Sequence, residues 1–490
     1  MLPAGSLITA IVLAAGEGTR MRSAIPKVLH PLAGRTLVEH AVRAAAGLDP
    51  RHLVVVIGHG RDAVAAHLDT VATTLGREVL TAVQHPQRGT GHAVCTALDA
   101  LPADLSGTVL VSYGDVPLLD APALAGLVTE HHRAGHSATV LSAVIEDPAG
   151  YGRILRDASG AVTGIIEHRD ATAAQRAIRE INSGVFAFDT GALRQALRQL
   201  RPSNSQGELY LTDALGLMRE RGLPVGAHRC ADPWLVAGVN DRVQLAAVGA
   251  ELNRRLLEHW MRAGATVVDP PSVWLDSDVE LAPDVVLRPG VQLHGGTVVG
   301  PGAVIGPDST LSGCVIGAGA SVVRTHAIDA VVAEGAQVGP FAYLRPGSRI
   351  GERAKVGTFV ETKNAELGPG AKVPHLSYVG DATIGEGSNI GAATVFVNYD
   401  GVAKHRSVVG AHARTGADNM FVAPVSIGDG AYTGAGAVIT QDVPPGALAV
   451  SCNRQRNIEG WVNLRRPGTP SAEAASRAQA GGGPEGQERA

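Results

Sequence analysis

The segment Leu13-Ala14-Ala15-Gly16-Glu17-Gly18-Thr19-Arg20-Met21 places two glycines and a cation directly after a short apolar run. Glycine lets backbone N–H groups turn inward around phosphate oxygens, and Arg20 adds positive charge, so the segment could cradle a phosphate. The plainer alternative is an ordinary strand-to-helix turn. There is no third glycine to complete a dinucleotide fingerprint and no Gly-Lys-Ser/Thr to make a P-loop, which argues against a dehydrogenase or a P-loop NTPase. Downstream stand Pro26-Lys27-Val28-Leu29, Gln84, Gly89-Thr90-Gly91-His92-Ala93, Tyr113-Gly114-Asp115-Val116-Pro117 and Gly238-Val239-Asn240. The oxygens of Asp115 and Asn240 suit Mg2+. Their competing readings are a solvated carboxylate at a strand end and a plain helix N-cap. A second group, Arg345, Lys363 and His375, lies among small apolar residues where charged side chains should project outward. Arg and Lys suit a sugar phosphate, and a histidine suits removal of a proton from an attacking amine. A lone corner histidine is more often a surface residue.

These residues need elements to hold them. Up to about residue 240, short apolar runs (8–14, 53–57, 109–112, 138–144) alternate with helix-like stretches such as 37–46. That alternation predicts an α/β domain with a parallel or mixed sheet. Leu245, Leu252, Leu256 and Trp260 recur at helical spacing between a cap at Asn240 or Asp241 and a stop at Gly264, which predicts a connecting helix over 241–264. Beyond it apolar residues recur every six positions: Val299, Ile305, Leu311; Ile316, Val322, Ile328; Val338, Leu344, Ile350, Val356; Leu367, Val373, Val379; Ile384, Ile390, Phe396; Val409; Ile427, Thr433, Ile439. A six-residue period is the mark of a parallel β-helix, here over 265–462. The rhythm breaks at 358–366 and 398–406, and such departures usually lie on a binding face. From 463 the chain has little to bury and is expected to be a disordered tail.

In this order, together with Gly150-Tyr151-Gly152-Arg153-Ile154, Ile166-Glu167-His168 and Glu180-Ile181-Asn182-Ser183-Gly184, the motifs of residues 1–240 resemble those of sugar-phosphate nucleotidylyltransferases. With the hexapeptide repeats behind them, the chain over about 7–462 resembles the bacterial family that joins an N-acetylglucosamine-1-phosphate uridyltransferase to a glucosamine-1-phosphate acetyltransferase. The resemblance implies a Rossmann-like α/β nucleotidylyltransferase domain followed by a left-handed parallel β-helix. It implies that Leu13, Ala14, Ala15, Gly16, Gln84, Gly89 and Thr90 hold the uridine nucleotide of UTP, with Tyr113 and Gly114 beside them. Lys27 would neutralise phosphates, Asp115 and Asn240 would bind Mg2+, and Gly152, Glu167 and Asn182 would bind the amino sugar. His375 would be the general base, with Arg345, Lys363, Tyr378 and Asn389 on glucosamine-1-phosphate. Ala392, Asn398, Tyr399, Ala417, Ala435 and Cys452 would line the acetyl-CoA site. The implied reactions acetylate glucosamine-1-phosphate and then form UDP-N-acetylglucosamine and pyrophosphate, for peptidoglycan and cell-envelope precursors. A homotrimer is implied because such acyltransferase sites are shared between neighbouring chains.

Departures from the family pattern fall on the acetyl-CoA side. Ala393 stands in place of Gly, Ala417 in place of Ser, and Ser451-Cys452-Asn453-Arg454-Gln455 lacks the usual Pro before Gln. Three other readings remain open: a β-helix that only trimerises the uridylyl domain, a regulatory nucleotide-binding protein, and a β-helix metalloenzyme. The last is disfavoured because His294, His326, His375, His405 and His412 lack ligand-like spacing. Composition narrows the field further. Lys and Arg total 42 against 46 Asp and Glu, a net charge of -4 with no basic patch, so nucleic acid is an unexpected partner. The four cysteines (Cys95, Cys230, Cys314, Cys452) are far apart, as in a reducing cytoplasm, and no apolar run reaches membrane-spanning length.

Overall fold

The computed structural model describes residues 7–202, 204, 206–451 and 455–480. They fall into two compact units, 1–364 and 365–490.

In the first unit the strand Ile8–Ala14 pairs in parallel with His52–Ile57 on one side and Thr108–Tyr113 on the other. Leu80–Val83 extends the first flank, also in parallel. On the second flank Glu180–Asp189 runs antiparallel to Thr108–Tyr113 and Ala138–Val144, and Val225–Arg229 closes that edge in parallel. The sheet is therefore mixed. All seven residues of Ile8–Ala14 are buried because alternate side chains enter two different cores. Val12 and Ala14 join Val38 and Val42 on one face, while Ile11 and Leu13 join Val94 and Leu98 on the other. A strand covered on both faces is apolar at nearly every position, and here only Thr9 interrupts the apolar run. The helix Leu37–Ala46 begins where the Thr36 side chain accepts from Glu39 N, leaving Leu37, Ala41 and Val42 to bury. Because the chain leaves the first strand toward one flank and crosses to the other, a crevice opens beyond the carboxyl ends of Ile8–Ala14 and Thr108–Tyr113.

The helix Arg242–Arg262 is capped by Asp241, whose side chain accepts from Gln244 N. The expected apolar face is only half-buried, and the fully buried residues are Val248, Glu251, Asn253 and Leu257. Two of these are polar because the helix meets backbone. Asn253 Nδ2 donates to Val273 O at 2.7 Å and its Oδ1 accepts from Leu275 N at 3.0 Å, clamping the helix to the first coil. Glu251 is ion-paired with Arg254 and Arg255.

From Thr266–Val267 onward short parallel strands stack on themselves. Leu287 pairs with Ile305 and Leu293 with Leu311, eighteen positions on, whereas Leu311 pairs with Ala327, only sixteen on. The coil thus tightens locally. As a result Ile328 does not take the inward place that a strict six-residue period gives it; Ala327 does, at 1% exposure. Within the expected 265–462 the six-residue rhythm already runs before Val299, with Leu275, Leu281 and Leu287 inward. Residues 358–366 are not an insertion. Thr362 takes the inward place six positions after Val356, fully buried with its hydroxyl bonded to Ser348 Oγ at 2.8 Å, and Leu367 follows five on, so a polar residue in an apolar slot and one shortened step hid the repeat.

The second unit is built the same way. Leu367, Val373, Val379, Ile384, Ile390, Phe396, Val409, Ile427, Thr433 and Ile439 are all buried. Tyr378 pairs with Val395, seventeen positions on, but Ala382 pairs with Ser407, twenty-five on. The excess is the 398–406 excursion, folded on itself by a Tyr399–Lys404 bridge and by Asp400, which accepts from Val402 N and Ala403 N. Contrary to the expectation of a structureless tail from 463, Trp461–Arg465 and Pro470–Ala480 are helical. Alanine-rich sequence has high helix propensity even with little to bury. Residues 481–490 lie outside the described residues. No helix among the described residues is long and apolar enough to cross a membrane.

Candidate active sites

The glycine loop leaves the buried end of Ile8–Ala14 and opens on a cleft of about 510 Å³ lined by Leu13, Ala14, Ala15, Gly16, Lys27, Gln84, Gly89, Thr90, Tyr113 and Asp115. Ten expected nucleotide residues, separated by up to a hundred positions in the chain, are thus brought together. Gly18 sits at φ +64°, and a Cβ there would lie 2.4 Å from Lys27 Cβ, so glycine is required for Lys27 to reach the cleft. Gly114 lines the back rather than the cleft, its N–H donating to Leu13 O at 2.9 Å.

At one end Lys27 Nζ is ion-paired with Asp115 Oδ2 and lies 3.3 Å from Asn240 Oδ1. Arg20 donates to the same Asn240 oxygen at 2.9 Å. Arg20, Asp115, Asn240 and Tyr113 share a small adjoining cavity of about 240 Å³. Two oxygen donors and two cations at one point match a site for a hard divalent cation and phosphates, since Mg2+ takes one or two protein oxygens and completes its shell with substrate.

At the other end Thr90, Tyr113, Glu167 and Asn182 line a cavity of about 360 Å³. Gly152 pairs with Asn182 across antiparallel strands, and a Cβ on it would come within 3.2 Å of Glu167 Oε1. Burial raises the Glu167 carboxyl above its ordinary range, with the charges of Asp170 and Asp213 adding to it against a hydrogen bond from Thr212. Burial, then Glu167 and Asp115, push the Tyr113 phenol upward. Tyr113 borders all three cavities, and Gly184 at φ +83° makes room for its ring.

Several cleft residues escaped the sequence reading. Gln87 Nε2 donates to Ala15 O, and Glu208, Tyr210 and Thr212 come from the segment after Ser205. Leu209 N donates to Arg88 O, and Leu211 N to Thr90 Oγ1 at 3.0 Å, so the tertiary fold sews this segment to the Gly89 loop. No spacing in the sequence signals that pairing.

Of the second candidate group, Arg345 and Lys363 belong to the first unit, where both are half-buried and Arg345 is ion-paired with Glu361 at 2.9 Å. The others belong to the second unit. His375 is exposed at the end of Lys372–His375, its carbonyl accepting from Ser377 Oγ and from Ala393 N. Asn398 is buried and donates to Asp381 Oδ2 at 2.5 Å, with Tyr378 Oη at 3.4 Å. Asp381 was not anticipated. Asn389 and Ala392 are half-buried, and Tyr399, Ala417 and Ala435 are exposed. Cys452 lies outside the described residues. Ala393, noted for replacing Gly, adopts φ +60°, a conformation that favours glycine.

A MobA-like NTP transferase domain matches residues 10–183. Over 468 residues the chain is 62% identical to the "Bifunctional protein GlmU" of Kineococcus radiotolerans, covering 96% of this chain and 94% of that one. The protein of the same name from Corynebacterium efficiens is 58% identical over 469 residues, 96% of each chain. That from Mycobacterium sp. (strain KMS) is 59% identical over 468 residues, 96% of this chain and 94% of that one.

Proposed function

We infer that this chain, which belongs to the family of bifunctional GlmU proteins, makes UDP-N-acetylglucosamine by two group transfers. Acetyl passes from acetyl-CoA to the amine of glucosamine-1-phosphate, and uridylyl then passes from UTP to the N-acetylglucosamine-1-phosphate so formed. The observation that carries the second reaction is the convergence of the glycine loop, Lys27, Asp115 and Asn240 on one cleft, with Glu167 and Asn182 in the adjoining cavity.

In uridylyl transfer a phosphate oxygen of the sugar phosphate attacks the α-phosphorus of UTP, and the bond to pyrophosphate breaks. Both partners are anionic, so the chain's task is to hold them in line and offset their repulsion. Lys27 and Arg20 supply positive charge, and Gly16 and its neighbours bring backbone N–H groups close. Asp115 and Asn240 would hold Mg2+, which supplies further neutralisation of the triphosphate. No protein nucleophile is needed, because the sugar phosphate is one itself. Gly152, Glu167 and Asn182 hold the amino sugar in the adjoining cavity.

In acetyl transfer the amine attacks the thioester carbonyl, His375 takes the amine proton, and CoA leaves as the thiolate. Arg345 and Lys363 supply charge suited to the sugar phosphate, and Tyr378 and Asn389 supply polar contacts. Ala392, Asn398, Tyr399, Ala417, Ala435 and Cys452 are assigned to acetyl-CoA. The active form is a cytoplasmic homotrimer whose acetyl sites draw on neighbouring chains. The test is an assay of both half-reactions on the purified chain. Release of CoA thiol that depends on glucosamine-1-phosphate, and pyrophosphate from UTP that depends on N-acetylglucosamine-1-phosphate, are expected. Pyrophosphate release without any thiol release would leave the coils as a scaffold.

A further inference from the structure

Gln84 is 5% exposed at the wall of the nucleotide cleft, and its amide has no rotational choice. Nε2 lies 2.9 Å from the carbonyl of Gly89 and 3.1 Å from Nδ1 of His92. A carbonyl can only accept, so the nitrogen must be the end of the amide that faces Gly89. An amide nitrogen can only donate, so Nδ1 of His92 must be the bare nitrogen of a neutral ring. Both Nε2 hydrogens are then used within the protein, and among the described residues Oε1 accepts no hydrogen bond. The Gly89 carbonyl is itself immobile. Gly89 sits at φ +97°, against Leu209, at the start of the helix Thr90–Asp99 that carries His92.

We propose that His92 is a positioning residue for base selection: by accepting one Gln84 hydrogen it leaves Gln84 Oε1 as the amide atom offered to the cleft, which favours a base whose pairing edge presents an N–H donor. Uracil presents such a donor at N3, whereas cytosine presents a bare nitrogen there. The proposal rests on the reading of this cleft as the UTP site. Burial, and to a lesser degree Arg88, keep the ring neutral against the opposing charge of Asp99, as the arrangement requires. Protonation would turn Nδ1 into a donor facing a donor, and flipping the amide would only set Oε1 against the Gly89 carbonyl.

The experiment is steady-state uridylyl transfer by the full chain with UTP and with CTP, for wild type, His92→Phe and His92→Asn. Asparagine can place an acceptor oxygen where Nδ1 stands; phenylalanine cannot. His92→Phe should raise the KM for UTP about tenfold, the worth of one lost orienting hydrogen bond, and narrow the preference for UTP over CTP by a similar factor. The KM for N-acetylglucosamine-1-phosphate and the kcat at saturating UTP should hold, and His92→Asn should stay within about threefold of wild type on every measure. Equal behaviour of the two variants, or an unchanged UTP preference in His92→Phe, overturns the proposal. A wild-type chain that does not prefer UTP would instead sink the reading of the cleft on which it rests.

Discussion

The mixed-sheet domain and the coils solve the problem of building a site in opposite ways. In the sheet domain every strand is different, and Leu13, Tyr113, Gln84 and Asn182 converge because their strands end around one crevice. In the coils every turn is nearly the same, the inward places are taken by aliphatic or small residues and, at Phe396 and Phe421, by aromatic rings, and mostly outward or excursion positions are left for chemistry. His375 at a strand end and Asn398 at the start of the excursion are such places. The lesson is that a site in an irregular domain is protected by its core, whereas a site on a repeat depends on a few local departures from that repeat.

The comparison is broken most sharply by removing chemistry from one region at a time. Asp115→Ala should lower uridylyl transfer by about 10⁴-fold, since it removes an oxygen proposed to hold Mg2+ and leaves Lys27 without its partner, while acetyl transfer holds. His375→Ala should lower acetyl transfer by about 10³-fold and leave uridylyl transfer intact. Loss of both activities from either change in a folded chain would end the idea of independent sites.

A smaller effect distinguishes the regions by acid. His131 is buried beneath the sheet, 3.0 Å from Thr139 Oγ1, and burial, followed by the charges of His132 and His136, lowers its pKa to about 4. The unfolded chain takes up the proton at the ordinary value of about 6.5. Stability from this group is therefore held above pH 6.5 and lost as pH falls from 6.5 to 4, by about 3 kcal/mol in all. Hydrogen exchange across that range should show Ala138–Val144 losing protection ahead of the coil strands, and His131→Gln should flatten the trend. The smallest change concerns the repeat itself. Ala393→Gly relieves an alanine held at φ +60° and should stabilise the second unit by about 1 kcal/mol in denaturant melts. A loss of stability would mean that the alanine methyl packs in a way that outweighs the backbone strain.

Much of the architecture was legible. The runs at 8–14 and 138–144 and the helix at 37–46 coincide with Ile8–Ala14, Ala138–Val144 and Leu37–Ala46, because each keeps one burial pattern along almost its whole length. Reading failed where one residue had to satisfy a distant partner. Thr362 keeps the coil by bonding Ser348, Ala327 displaces Ile328 where a turn shortens, and Asn253 is buried only because a backbone strand needs its amide. In the nucleotide cleft the motif residues were found, but Gln87, Glu208 and the His92–Gln84 pair were not.

By itself the sequence determined the two periodicities, the positions of the glycines and the identity of the groups able to neutralise phosphate or take a proton. These are local properties, since a strand covered on both faces, a six-residue coil and a phosphate loop each impose their pattern on neighbouring residues. Tertiary structure alone decided which of those groups meet. Lys27 reaches Asp115 and Asn240 across 88 and 213 positions, and the Gln84 amide is fixed by a carbonyl and an imidazole that a helix start brings beside it. Such meetings follow from strand order and from the burial of hydrogen-bonding groups that must find partners, and neither is written in the spacing along the chain.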